Sequence, residues 1–163
     1  MIRKLHHSAY RCRDSEATRR FYEDFLGLPL ASTLEINETM SGRATETLHT
    51  FYRLDDGSFI AFFEAGDLPF EFKAQHDFDL HIALEVDAPV LPTMLAKGRA
   101  EGIETRGISR HGFIDSIYFR DPNGYVVELC AKASLHDTAM DPAFNGAREK
   151  LQRWTAAHSV AAR

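Results

Sequence analysis

This chain repeats itself, and that limits its folds more than any other feature. His7-Ser8-Ala9-Tyr10, followed by Arg13-Asp14, is echoed by His81-Ile82-Ala83-Leu84, followed by Val86-Asp87. Phe51-Tyr52-Arg53-Leu54-Asp55-Asp56-Gly57 is echoed by Ile117-Tyr118-Phe119-Arg120-Asp121-Pro122-Asn123-Gly124, one residue longer in the turn. The patterning around the echoes also matches. A strand over 5–13 precedes Asp14, placed to cap a helix with Ala17, Phe21, Phe25 and Leu28 on one face, and Gly27 and Pro29 end that helix. Strand-like segments follow over 30–40 and 44–54, and the Asp55-Asp56-Gly57 turn leads into an apolar strand over 58–64. After a mixed connection over 66–78 the order returns: a strand over 79–86, Asp87 placed to cap a helix over 88–101, Gly102, and strands over 103–109, 113–120 and 125–131. Each copy is a βαβββ unit with an open sheet face, and pairing two copies buries both faces. The expected class is α+β.

With 163 residues the chain suits one domain with a sizeable core. That domain is expected over 1–132, from modules 3–65 and 79–132. The extension 133–163 carries Phe144, Ala147, Leu151 and Trp154 at helical spacing and predicts a C-terminal helix packing on the body. A net charge of −5 offers no basic field, which argues against a nucleic-acid partner. Apolar runs such as Phe59–Phe63 are too short to span a membrane, and Met1–His7 lacks the apolar stretch of a signal peptide. Two cysteines, Cys12 and Cys130, make no disulfide framework, so a reducing, cytoplasmic setting is expected. No phosphate-binding, nucleophile-elbow or dinucleotide motif is present.

The segments LHHSAYRCRDSEATRRFYEDFLGLPL, LHIALEVD and SIYFRDPNGYVVEL resemble the vicinal oxygen chelate superfamily of glyoxalases, extradiol dioxygenases, fosfomycin-resistance enzymes and bleomycin-binding proteins. The resemblance covers residues 3–132. It implies two paired βαβββ modules forming a cupped, incompletely closed mixed sheet around a divalent metal, usually in a dimer.

Strand alternation nominates the ligands. Tyr125, Val127 and Leu129 share an apolar face, so Glu128 points the other way with Val126 and Cys130. Ile82, Leu84 and Val86 form one face of their strand, and His81, Ala83 and Glu85 the other. His7 holds in the first copy the place of His81 in the second. Each residue alone reads as structural; together His7, His81 and Glu128 make a 2-His-1-carboxylate set, suited to Fe(II), with Mn(II), Zn(II), Ni(II) or Co(II) as alternatives. His6 competes with His7, but the resemblance places the ligand on the histidine that opens the H-x-A pattern. Family members with a fourth ligand carry it on the fourth strand. Glu128 lies four residues after Gly124, and four after Gly57 comes Ala61, so Glu64 falls on the opposite face and is expected to meet solvent or a helix.

Three ligands resemble the extradiol and fosfomycin-resistance enzymes more than glyoxalase I. Tyr118 stands ten residues before Glu128, as in the extradiol enzymes, and is a candidate hydrogen-bonding catalytic group. His111 is a second acid–base candidate in the preceding loop, although Ser109 occupies the position where extradiol enzymes carry their loop histidine. Phe59, Ala61 and Phe63 alternate onto the side matched to Glu128 and, with Cys130, are expected to line a partly apolar pocket; the plainer reading makes them core. His49, His76, His136 and His158 carry no motif and read as solvated. The expected function is a metal-dependent enzyme on a small substrate with vicinal oxygens, related to extradiol dioxygenases. The alternatives are a lyase, isomerase or thiol transferase on the same scaffold, or a non-catalytic bleomycin-resistance-like binder. A homodimer is expected, with modules paired within one chain or exchanged between two.

Overall fold

The computed structural model describes residues 1–158. The chain divides into two compact units: Met1–Ile82 with Arg120–Val127, and Ala83–Phe119 with the residues from Glu128 onward. Strands fall into two four-stranded sheets with the same internal order. The first runs β1 (His7–Arg11), β4 (Phe59–Ala65), β3 (Ala44–Arg53), β2 (Leu30–Glu38); the second runs β5 (His81–Glu85), β8 (Val126–Lys132), β7 (Ile114–Arg120), β6 (Thr105–Arg110). The duplication read from the sequence is thus a duplication of topology. In the first sheet β1 lies parallel to β4 and the other pairs are antiparallel, so the sheet is mixed.

Helix α1 (Ser15–Arg19) starts at Asp14, whose carboxylate accepts from the Ala17 N–H. It widens into a π-helical stretch, Arg20–Phe25, where Leu26 N–H reaches back five residues to the Phe21 carbonyl. The inward side chains are Thr18, Phe21, Tyr22 and Phe25, all buried, at i, i+3, i+4 and i+7; Ala17, expected on that face, is only half-buried. Tyr22 packs on Phe62 and Tyr52, with ring centroids 4.7 and 5.6 Å away. Gly27, at φ +83°, ends the element as expected.

The Asp121–Gly124 turn belongs to this unit because of its hydrogen bonds. Buried Asp121 accepts from Tyr22 Oη, Asn123 N and Nδ2, and Tyr125 N, while Asn123 Oδ1 accepts from Arg13 N. Burial raises the Asp121 carboxyl above its ordinary pKa, although these donors oppose the rise. Gly124 has φ +96° and a Cβ there would collide with the Lys73 carbonyl, so glycine is required on both counts.

In the second unit α2 (Val90–Ala100) packs through Leu91 and Gly98. A Cβ on Gly98 would fall 2.6 Å from Phe119 and 2.7 Å from Thr105, so glycine lets the helix approach β6 and β7 closely. The expected Asp87 cap is not made: the helix begins at Val90, Pro89 takes the N-cap position without a side-chain bond, and only the Asp87 carbonyl takes part, accepting from Val90 N. The tail forms α3 (His136–Met140), α4 (Pro142–Asn145) and α5 (Ala147–His158). The C-terminal helix exists, but it does not pack as expected. None of its described residues is buried, and Leu151 and Trp154 are each 65% exposed. Its low apolar content gives only two large apolar side chains to bury. Among the described residues no helix is long and apolar enough to cross a membrane.

Candidate functional site

Cross-strand register sorts the first sheet into two faces. On β1 and β4, His7 pairs with Phe59, Ala9 with Ala61 and Arg11 with Phe63. On β3 and β4, Phe51 pairs with Ala61 and His49 with Phe63. His7, Phe51, Ala61, Phe59, Phe63 and His49 therefore share the face opposite α1. Glu64 lies on the other face, where its carboxylate accepts from Ser15 N at 2.7 Å and anchors the start of α1. The expected parity holds: alanine occupies the level beside Ala9, and the glutamate meets a helix.

The face is aromatic and carries imidazoles. His7 is exposed, 5.6 Å from Phe51 and 6.4 Å from His49 between ring centroids, and its Nδ1 lies 2.8 Å from Nδ1 of His6. That contact requires a proton on one of the two nitrogens. With it on His7, the His7 Nε2 is the basic nitrogen, suited to a metal. His49 corrects the sequence reading. It is buried rather than solvated, stacked on Phe63 at 3.6 Å and 12°, with Nδ1 2.9 Å from the Phe62 carbonyl. Burial lowers its pKa below the ordinary histidine value, so the ring is neutral at pH 7 and its proton sits on Nδ1. A signal for it was present in the sequence: the Asp55–Gly57 hairpin sets a register that puts residue 49 opposite 63.

His81 opens β5, in which His81, Ala83 and Glu85 are exposed while Ile82 and Leu84 are buried, the expected alternation. Its Nδ1 lies 2.7 Å from the Asp77 carbonyl, which fixes the proton there and makes Nε2 the basic nitrogen.

In the second unit Glu128 is 5% exposed and accepts a hydrogen bond from the fully buried Ser116 hydroxyl at 2.5 Å. Tyr118, two residues along β7, shares that face. Its hydroxyl lies 2.9 Å from His111 Nε2, so the two acid–base candidates are hydrogen-bonded to each other although His111 is on the exposed loop. Arg106, opposite Tyr118 on β6, holds its guanidinium 4.8 Å from the centre of the Tyr118 ring. The sequence reading gave no role to Ser116, although it opens the segment SIYFRDPNGYVVEL, nor to Arg106, which carries no motif; the hydrogen bond to Glu128 and the pairing with Tyr118 bring them out. Cys130 is half-buried, its thiol directed at the Leu84 carbonyl 3.6 Å away, and burial pushes its pKa up, aided by the nearby Glu128 and Glu85 charges. At neutral pH it is therefore a thiol, not a thiolate.

Among the described residues, no three His, Cys, Asp or Glu side chains are gathered to hold a metal. Taken singly, the donors fit one: two imidazoles whose Nδ1 contacts orient the ring, and a carboxylate steadied by a hydroxyl.

The family model of the Glyoxalase/Bleomycin resistance protein/Dioxygenase superfamily matches residues 4–129, and the chain belongs to that superfamily. Solved structures share the fold. A glyoxalase/dioxygenase from Nostoc punctiforme is 24% identical, with 81% of this chain and 92% of that one covered and a TM-score of 0.61. The fosfomycin resistance protein FosX from Listeria monocytogenes, complexed with Mn(II) and sulfate, is 22% identical over 84% and 98%, with a TM-score of 0.60. TnmS3, an antibiotic binding protein from Streptomyces sp. CB03234, is 15% identical over 81% and 98%, with a TM-score of 0.60. No curated protein matches it in sequence.

Proposed function

We propose that the chain is a divalent-metal-dependent enzyme acting on a small substrate with two adjacent oxygens, and that His7, His81 and Glu128 hold the metal. The observation that carries this reading is that ligand-type side chains at matching places in the duplicated unit, His7 and His81, each have Nδ1 engaged and a basic Nε2 available by tautomer, while Glu128 is steadied by Ser116. Fe(II) is the first metal to test, and Mn(II), found with FosX, the second. When bound, the metal would chelate the vicinal oxygens and neutralise negative charge that develops on them.

The rest falls to the chain's own side chains. Tyr118 donates to or accepts from the substrate and exchanges its proton with His111, its hydrogen-bonded partner. Arg106, with its guanidinium over the Tyr118 ring, holds that ring in place. Phe59 and Phe63 give the apolar floor; Ala61, on the same face, is fully buried and adds no surface to it. Extradiol-type ring cleavage is the reaction favoured, because Tyr118 is an acid–base phenol on the face of Glu128. Addition of a thiol or an isomerisation is the second reading, and a non-catalytic binder of the kind named by TnmS3 the third.

Homodimerisation is part of the proposal. The exposed Leu151 and Trp154 of α5 offer apolar surface for it. With exchanged modules, His7 of one chain would join His81 and Glu128 of the other. Mixing inactive His7→Ala with inactive Glu128→Ala subunits then restores activity, whereas sites built within one chain stay dead. The reaction is tested by loading the protein with Fe(II) under anaerobic conditions, adding catechol or 2,3-dihydroxybiphenyl, and admitting air. A yellow ring-cleavage product supports the dioxygenase reading; none across a catechol panel rejects it and turns the search to thiol addition and isomerisation.

A further inference from the structure

We propose that the far end of the His7 face, at Arg11, is a subsite for the carboxylate of an acid with an aromatic or branched apolar body. The inference deepens the reading of that face as ligand-binding and rests on it, but binding at Arg11 does not need a metal.

Strand register carries the face to Arg11. On β1 the residues His7, Ala9 and Arg11 alternate onto one side, and Arg11 pairs with Phe63 as His7 pairs with Phe59. Four residues of strand is about 13 Å, so one elongated ligand can meet both ends. At the Arg11 end lies a recess of about 290 Å³, lined by Arg11, Ile36, Thr47, Phe63, Ala65 and Leu68 among others. Roughly half that volume holds a benzene ring. The threonine protons beside it are committed. Thr45 donates to Asp67, so at the 2.8 Å contact between Thr47 and Thr45 it is Thr47 that donates.

Arg11 is the charge that this recess leaves unanswered. The side chain is half-buried, and its Nη2 donates to the carbonyls of Ala65 and Leu68 at 2.6 and 2.9 Å. Its Nε is sealed from water and has no acceptor. Among the described residues no carboxylate pairs with Arg11. Asp67 is held by Arg43 at 2.6 Å, and Glu64 accepts from Ser15 N on the opposite face. The Phe70 ring, 5.3 Å from Cζ, supplies only the weak attraction of an exposed cation–π pair. Nη1 makes no hydrogen bond among the described residues and is not enclosed, so its two donors are open to a ligand. The positive charge is delocalised over the three nitrogens, and an anion at Nη1 therefore also offsets the charge carried at Nε. A half-buried cation without a counter-charge, beside an apolar recess, selects an anion carried on an apolar body. A planar carboxylate matches the guanidinium. The substrate class that follows is an acid whose carboxylate lies at the opposite end from its vicinal oxygens.

The test uses metal-free, full-length protein and two probes on one ring system, 2-naphthoate and its methyl ester, titrated by probe fluorescence at neutral pH. Wild type is expected to bind the acid about 10- to 100-fold more tightly, the range of a hydrogen bond to a charged group. Arg11→Met keeps the apolar stem, so its affinity for the ester should hold while the ratio falls to near one, and Arg11→Lys should restore part of the preference. Acetate, an anion without the apolar body, should not displace 2-naphthoate at millimolar concentration. In the ¹H–¹⁵N spectrum of wild type, the Arg11 Nε–H resonance should move with the acid and not with the ester. Equal affinities of wild type for the two probes, an unchanged ratio in Arg11→Met, displacement by acetate, an unmoved Nε–H resonance, or no binding of the acid at millimolar concentration each overturns the proposal. The nitrogen spectrum keeps the test decisive if Arg11→Met does not fold. Because no metal is present, failure here leaves the metal triad standing, and failure of the triad to hold a metal leaves this outcome unchanged.

Discussion

Ser116→Ala isolates one interaction on which the account of Glu128 depends. Ser116 is fully buried, Glu128 is 5% exposed, and the hydroxyl donates to the carboxylate. Removing the hydroxyl leaves a buried carboxylate with one donor fewer in a medium that solvates it poorly. A hydrogen bond to a charged group is worth about 1.5–3 kcal/mol, and the lost volume is a single oxygen, so a cavity adds little. For a domain of this size that corresponds to a fall of roughly 3–12 °C in melting temperature. The assay is urea unfolding of metal-free wild type, Ser116→Ala, Glu128→Gln and the double variant. The cycle removes whatever else each substitution disturbs and should leave a coupling of about 1–3 kcal/mol. The same change should weaken metal binding about 10–100-fold by freeing the carboxylate to turn. A coupling under about 0.5 kcal/mol would refute the claim that Ser116 positions Glu128.

Other outcomes follow from neighbouring geometry. Glu64→Ala should cost about 0.5–2 kcal/mol by uncapping α1 at Ser15, yet leave metal stoichiometry and affinity unaltered; weaker metal binding would make Glu64 a ligand after all. Gly98→Ala should destabilise by about 1–3 kcal/mol because its Cβ meets Phe119 and Thr105, and Phe119→Leu in the same chain should recover part of the loss in thermal melts. The lowered pKa of His49 has a defined sign. Between its folded value and about 6.5 the unfolded chain binds more protons, so metal-free stability should fall as pH drops through that window. His49→Phe should flatten that part of the profile in urea midpoints; an equally steep fall would place the titration elsewhere.

The sequence was most legible where local rules and duplication agreed. The echo of His7–Tyr10 in His81–Leu84 predicted two copies of one unit, and each copy forms a four-stranded sheet with the same strand order. Turn chemistry at Gly57 and Gly124 marked both hairpins, and counting from those glycines placed Ala61 on the His7 face and Glu64 on the helix face. The reading failed where a side chain's role depends on what lies across a strand. His49 looked solvated because its own neighbours, Leu48 and Thr50, do not form a helical or alternating apolar pattern; its burial comes from Phe63 on the adjacent strand. The roles of Ser116 and Arg106 went unread for the same reason. On the first helix Phe21 and Phe25 are buried as expected, but the expected face took in Ala17 where Thr18 and Tyr22 turn inward. Asp87 is a good cap residue by type, but Pro89, already in helical geometry two residues on, moved the helix start beyond its reach.

The central claim is that His7, His81 and Glu128 are metal ligands, and elemental analysis tests it most directly. Full-length protein purified without chelator, then reloaded with Fe(II) or Mn(II) and desalted, should retain one equivalent per triad. His7→Ala, His81→Ala and Glu128→Ala, folded by circular dichroism, should each lose it, while His6→Ala and Glu64→Ala keep it. Retention of a full equivalent by all three ligand variants, or none by wild type, would contradict the account.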